Sequence, residues 1–141
     1  SGLMFILDTN VISELRRPER AARRVVAWVG AQEEADLFCS SISILELEMG
    51  ALQILRRDVV RGTMLRTWIA DRVLPSFGSR ILPVDAAVAI ACAALHVPDP
   101  RPDRDACIAA TALVHDLIVV TRNTRDFEGT GVRLFNPWEA A

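Results

Sequence analysis

The 141-residue chain contains no lysine, so all sixteen of its basic residues are arginines. It contains no tyrosine, and aromatic residues make up only 6% of it. A broad base-stacking surface for nucleic acid is therefore excluded, and stacking would be limited to residues such as Trp28, Trp68 or Phe127. No apolar run reaches the length of a membrane span, and nothing at the N-terminus has the layout of a signal peptide. The expectation is a cytoplasmic protein without a membrane partner. There is no CxxC pair and no histidine at zinc spacing, so Cys39, Cys92 and Cys107 read as buried free thiols in a reducing compartment. His96 and His115 fall near helix ends and carry no evident chemistry. No Gly-rich loop joins a strand to a helix, which excludes P-loop and dinucleotide-binding enzymes. Internal repeats and long linkers are missing too, so the chain reads as one domain.

What is present suits a folded domain with a real core: 51% of residues are apolar and 24% charged. Ser1 and Gly2 read as a cloning remnant ahead of Met4 as the natural start. The net charge of −2 argues against a generic nucleic-acid surface. Eleven arginines fall within residues 1–80, among them Arg16, Arg17, Arg20, Arg23 and Arg24. These read first as a solvated helix face and second as contacts to a phosphate backbone, which the planar guanidinium suits.

Short apolar runs alternate with helical patterns. Residues 4–8, 37–40, 80–84, 117–121 and 132–135 read as strands, with 117–121 the clearest. A helical stretch from about Val11 breaks near Pro18, and a longer helix covers about 19–31. Further helices are expected over 42–56, over 58–77 with a break at Pro75, over 84–95, and to about His115 with Asp103 as N-cap. This alternation predicts an α/β fold with a parallel sheet. Ligands in such sheets bind beyond the carboxyl ends of the strands, near the switch in strand order. Asp8 ends the first predicted strand, and Thr121 ends the fourth, just ahead of Asn123 and Asp126.

Four acids occupy places that would converge there: Asp8, Glu46, Asp105 and Asp126. Each also has an ordinary explanation as a turn residue, a surface residue or a helix-end charge. Periodicity does not choose between Glu46 and Glu48, which both flank the apolar stripe, although Gly50 leaves open space beside Glu46. Crowded carboxylates resist ionising unless a cation offsets their charge. An all-oxygen donor set selects Mg²⁺ or Mn²⁺, which lowers the pKa of bound water and stabilises charge on a phosphoryl oxygen.

The stretches "LDTNVISEL", "SILELEMG", "DACIAATALVHDLIVVTRNTRDFEG" and "VRLFNPW", in this order from Met4 to Trp138, resemble a PIN-domain ribonuclease, closest to the VapC/FitB-like toxins of bacterial toxin–antitoxin pairs. The resemblance implies a single three-layer PIN-like domain over residues 4–138, with a central parallel sheet of about five short strands flanked by helices. It implies an Mg²⁺- or Mn²⁺-dependent endoribonuclease that is homodimeric, is neutralised by a cognate antitoxin, and meets operator DNA only through that antitoxin. Asp8, Glu46, Asp105 and Asp126 match the four acids of the family pattern, with Asp8 and Asp105 as the metal ligands. Asn10 and Thr121 match polar positions that support the pocket. Asp103 reads as a cap that would join the site only as an outer-shell acid. A phosphatase or receiver domain with an acceptor aspartate fails because both rely on a lysine. The remaining alternative is a non-catalytic PIN-like module that binds RNA or a partner.

Overall fold

In a computed structural model, which describes residues 2–139, the chain forms one parallel sheet with helices on both faces. Ser1, half of the expected cloning remnant, lies outside the described residues. The strands are β1 (Phe5–Leu7), β2 (Leu37–Ser40), β3 (Ile81–Leu82), β4 (Ile118–Val120) and β5 (Leu134–Phe135). They run in the spatial order β3-β2-β1-β4-β5, every neighbouring pair parallel. The α/β expectation and all five strand positions hold.

The helices are α1 (Thr9–Glu14), α2 (Arg23–Ala31), α3 (Ser41–Leu55), α4 (Val59–Trp68), α5 (Leu74–Phe77), α6 (Ala86–Leu95) and α7 (Asp103–His115). Alternation along β1 divides the core. Phe5 and Leu7 face a cluster with Val11, Val25, Leu37 and Val120 on one side of the sheet. Ile6 faces Ile108, Ala112, Val119 and Phe127 on the other. With both faces covered, β1 is buried throughout, which is why it reads as an unbroken apolar run.

Several expectations are corrected. The helix expected from about residue 19 begins at Arg23, so Arg16, Arg17 and Arg20 lie in a turn segment rather than on a helix face. The helix expected to break at Pro75 instead widens into a π turn, Ile69–Val73, just before the proline. That turn accommodates a residue with no N–H to give the preceding turn. Asp103 is not the N-cap of α7: the cap position is Pro102, and Asp103 stands in the first turn with its carboxylate 3.4 Å from His96 Nε2. Cys39 and Cys92 are buried, whereas Cys107 is partly exposed. Cys92 and Cys107 meet across α6 and α7 with sulfurs 3.5 Å apart. The candidate stacking residues are occupied elsewhere. Trp28 meets Phe5 edge to face at 4.9 Å, Trp68 packs on the core, and Phe127 is buried. No helix among the described residues is long and apolar enough to cross a membrane.

Candidate active site

Strand order reverses direction on either side of β1, so the crevice at the carboxyl ends of β1 and β4 is the topological switch point. Asp8 follows β1 there and Thr121 follows β4. Asp8 continues the ladder through its N–H, which donates to Val120 O at 2.9 Å. Its side chain caps α1, where Oδ1 accepts from Thr9 N at 2.8 Å.

The other carboxylate oxygen is held from across the sheet. Thr121 Oγ1 donates to Asp8 Oδ2 at 2.8 Å, and Asn10 Nδ2 approaches the same oxygen at 3.4 Å. Thr121 Oγ1 accepts in turn from Asn10 Nδ2 at 3.3 Å and from Asn123 N at 3.0 Å. Asn10 Oδ1 accepts from Arg122 N at 3.3 Å. Every polar atom of this network has a partner, which fixes one orientation of the Asp8 carboxylate. Thr121 is fully buried and Asp8 nearly so, which explains why the network admits only matched donors and acceptors.

Glu46 joins from α3. Its Oε1 lies 2.7 Å from Thr9 Oγ1, which is also 2.8 Å from Ser43 Oγ. The Thr9 hydroxyl has one proton, and the carboxylate is the stronger acceptor, so Ser43 is left to donate to Thr9. Arg104 Nη1 stands 3.6 Å from Glu46 Oε2. Glu48 points elsewhere and pairs with Arg66 at 2.6 Å. Nothing would lie within 4 Å of a Cβ at Gly50, so the space anticipated beside Glu46 is there.

Asp105, in the first turn of α7, and Asp126, in the 3₁₀ turn Thr124–Phe127, complete the acidic set. Burial first, then the charges of Asp126, Asp8 and Glu46, push the Asp105 carboxyl up to about 6, against a smaller lowering by Arg104. The Asp8 carboxyl is also raised. Burial is the main cause, opposed by the hydrogen bonds from Thr121 and Thr9 and reinforced by Glu46 and Asp126. Folding therefore brings all four predicted acids within electrostatic reach of one another. It leaves Asp103 outside the network, exposed and paired with His96.

Thr9, Ser43 and Arg104 belong to this network although sequence reasoning did not single them out. Thr9 was visible only as part of "DTN". Ser43 stands three residues before Glu46 on the same helical face, a spacing that signals contact.

The donor chemistry fits a hard divalent cation: the acids offer only oxygen, and their mutual repulsion is what such an ion relieves. Among the described residues, no three acidic, His or Cys side chains stand close enough to hold one ion by themselves. A hard divalent cation can be held by one or two carboxylates with waters and substrate phosphate completing its shell, an arrangement these acids can supply.

The PIN domain family model matches residues 5–132. The chain is 37% identical to VapC ribonuclease Y4jK of Sinorhizobium fredii, over 98% of this chain and 100% of that protein. It is 38% identical to toxin FitB of Neisseria gonorrhoeae, over 96% of this chain and 99% of that protein. It superposes on the solved structure of FitAB bound to an IR36 DNA fragment with a TM-score of 0.86 and 36% identity, covering 98% of each chain. The family-model match and the near full-length likeness to these two relatives show that the chain belongs to the PIN-domain family, among the VapC/FitB-like ribonuclease toxins.

Proposed function

We propose that this protein is a divalent-metal-dependent endoribonuclease that hydrolyses RNA phosphodiester bonds as the toxin of a toxin–antitoxin pair. The observation that carries the reading is the tether from Asp8 to Glu46. Thr9 caps onto Asp8 through its N–H and holds Glu46 through its hydroxyl, so two acids far apart in sequence share one crevice.

Asp8 and Asp105 would hold the cation, Mg²⁺ or Mn²⁺, with Glu46 and Asp126 completing the acidic wall. When bound, it supplies a more acidic water and a countercharge for the phosphoryl oxygens. The chain's own contribution is orientation and charge. Thr9, Asn10 and Thr121 lock the Asp8 carboxylate. Arg104 offsets part of the Glu46 charge that would otherwise repel a phosphodiester. The Asp105 carboxyl, raised first by burial and then by the neighbouring acids, would be favoured in its ionised form by a bound cation.

The partners follow from the same reading. RNA is the substrate, and a cognate antitoxin silences the toxin by placing a basic residue in the acidic crevice. Operator DNA is met through the antitoxin. Leu45, Met49 and Leu52 on α3 and Met64 on α4 remain exposed, and this apolar surface would serve a homodimer. The cytoplasm is the compartment that supplies RNA and keeps the cysteines reduced.

Cleavage of a structured RNA in Mg²⁺ or Mn²⁺ by the wild type, abolished by EDTA and by Asp8→Asn, is the expected result. If the wild type and Asp8→Asn were equally inert in Mn²⁺ while both bound RNA, the protein would be a non-catalytic binding module.

A further inference from the structure

The closing "NPW" turn builds something that the acidic crevice does not use. Asn136 Oδ1 accepts from Trp138 N at 2.9 Å, and Asn136 Nδ2 donates to Arg122 O at 3.3 Å. One amide side chain thereby ties residue 122 to residue 138. The Arg122 guanidinium lies over the Trp138 ring, 5.3 Å from its centroid. The indole is itself seated, packed against the core cluster that includes Val25 and Phe5, and Trp138 O accepts from Arg24 Nη1 at 3.4 Å.

Arg122 also belongs to the rim of the crevice. It follows Thr121, whose hydroxyl holds Asp8, and its own N–H donates to Asn10 Oδ1. A flexible cation beside an acidic cluster would ordinarily fold onto a carboxylate, as Arg104 does onto Glu46. Arg122 makes no ion pair with any described acid, and its side chain stays exposed on the indole face. Stacking leaves the edge of the guanidinium, with its fork of N–H donors, open to solvent.

We propose that Arg122, held on Trp138 by the Asn136 bridge, is a substrate-positioning residue that grips a phosphate of single-stranded RNA next to the scissile bond. The inference rests on the ribonuclease reading above. Stacking restrains the side chain before substrate arrives, so less freedom is lost on binding than for an unrestrained arginine. It also keeps the positive charge off the carboxylates, so the site can attract a polyanion without neutralising its own acids.

The test measures steady-state cleavage of a fluorescent single-stranded RNA in Mn²⁺, together with RNA binding by the Asp8→Asn protein at several salt concentrations. Arg122→Gln is expected to raise KM by about three- to tenfold with kcat nearly unchanged. It should lower the slope of log affinity against log salt by about 0.7, the share of one single-strand phosphate contact. Arg122→Lys should restore the salt slope but only part of KM, because an ammonium on a flexible stem loses the stacked fork. Both variants change an exposed side chain, and unchanged melting would show that they fold. An unaltered KM and salt slope in Arg122→Gln, with the wild type active, would overturn the inference while leaving the ribonuclease reading intact. So would weaker antitoxin binding without any change in KM, which would assign Arg122 to a protein contact. A wild type inert in Mn²⁺ on both this RNA and a structured RNA would overturn both.

Discussion

Thr121 Oγ1 reaches Asp8 Oδ2 at 2.8 Å, joining the carboxyl ends of β4 and β1 across 113 residues of sequence. The bond lowers the Asp8 carboxyl against the larger upward push of burial. Removing it leaves a buried carboxylate short of a donor. Thr121→Val should cost about 1–3 kcal/mol of stability at neutral pH, seen as a lower denaturant midpoint. With Asp8 as the proposed cation ligand, it should reduce kcat/KM by about tenfold or more, the usual cost of losing a group that orients a metal ligand. The acidic limb of the pH–rate profile should move to higher pH, since the lost bond favoured the ionised form. Thr121→Ser, which keeps the hydroxyl, should recover most of both properties.

Asp105 gives the metal-free protein an unusual pH dependence. Its carboxyl goes from the ordinary 3.8 to about 6 on folding, so the native state holds this proton more tightly than the unfolded chain does. Its contribution is therefore fully present below the ordinary value and is lost as pH rises through about 6. Because the group is partly exposed, the effect should be about 1–2 kcal/mol after screening. Thermal melts in EDTA between pH 4 and 7 should show the wild type losing stability relative to Asp105→Asn as pH rises. Adding Mn²⁺ should reverse that difference. A constant difference between the two proteins across the window would count against the burial and crowding that raise this carboxyl.

Gly62 lets α3 and α4 approach closely. A Cβ there would come within 2.6 Å of Leu55 N, in backbone that cannot yield as a flexible side chain would. Gly62→Ala should destabilise the fold by about 1–3 kcal/mol, despite the better helix propensity of alanine. The folded fraction should cleave RNA with unchanged kcat, because the α3–α4 contact lies outside the acidic network. Chemical denaturation paired with an activity assay checks both halves.

Cys39 and Cys92 should be chemically quiet. Burial pushes the Cys39 thiol up to about 12 and the Cys92 thiol up to about 11, with the contact to Cys107 adding to the latter. At pH 7.5 the thiolate fraction of Cys92 is then on the order of a hundredfold below that of a free cysteine. Peptide mapping after iodoacetamide treatment should find Cys39 and Cys92 unmodified in the native protein and labelled only in denaturant.

Much of this was legible in one dimension. Asp8 stands out because the unbroken apolar run before it reads as a strand buried on both faces, which places the carboxylate at that strand's end. The alternation of strands and helices fixes a parallel sheet, and the sheet fixes where a ligand would bind. Glu46 and Glu48 were different. Both flank the same helical stripe, and only the packing of α1 on α3 decides that Thr9 receives Glu46 while Arg66 takes Glu48. Asp103 and Asp105 likewise share a helix turn, yet one meets His96 and the other the acidic cluster. The Arg122–Trp138 stack was hidden too, because the bridge that builds it runs through the side chain of Asn136.

The sequence alone determined which residue types were available and the order of strands and helices, since that order follows from local periodicity, but not where each helix starts or what caps it. Only the tertiary structure decided which carboxylates share a crevice and which arginine stays free of them. Those outcomes depend on distances across elements that no local pattern encodes.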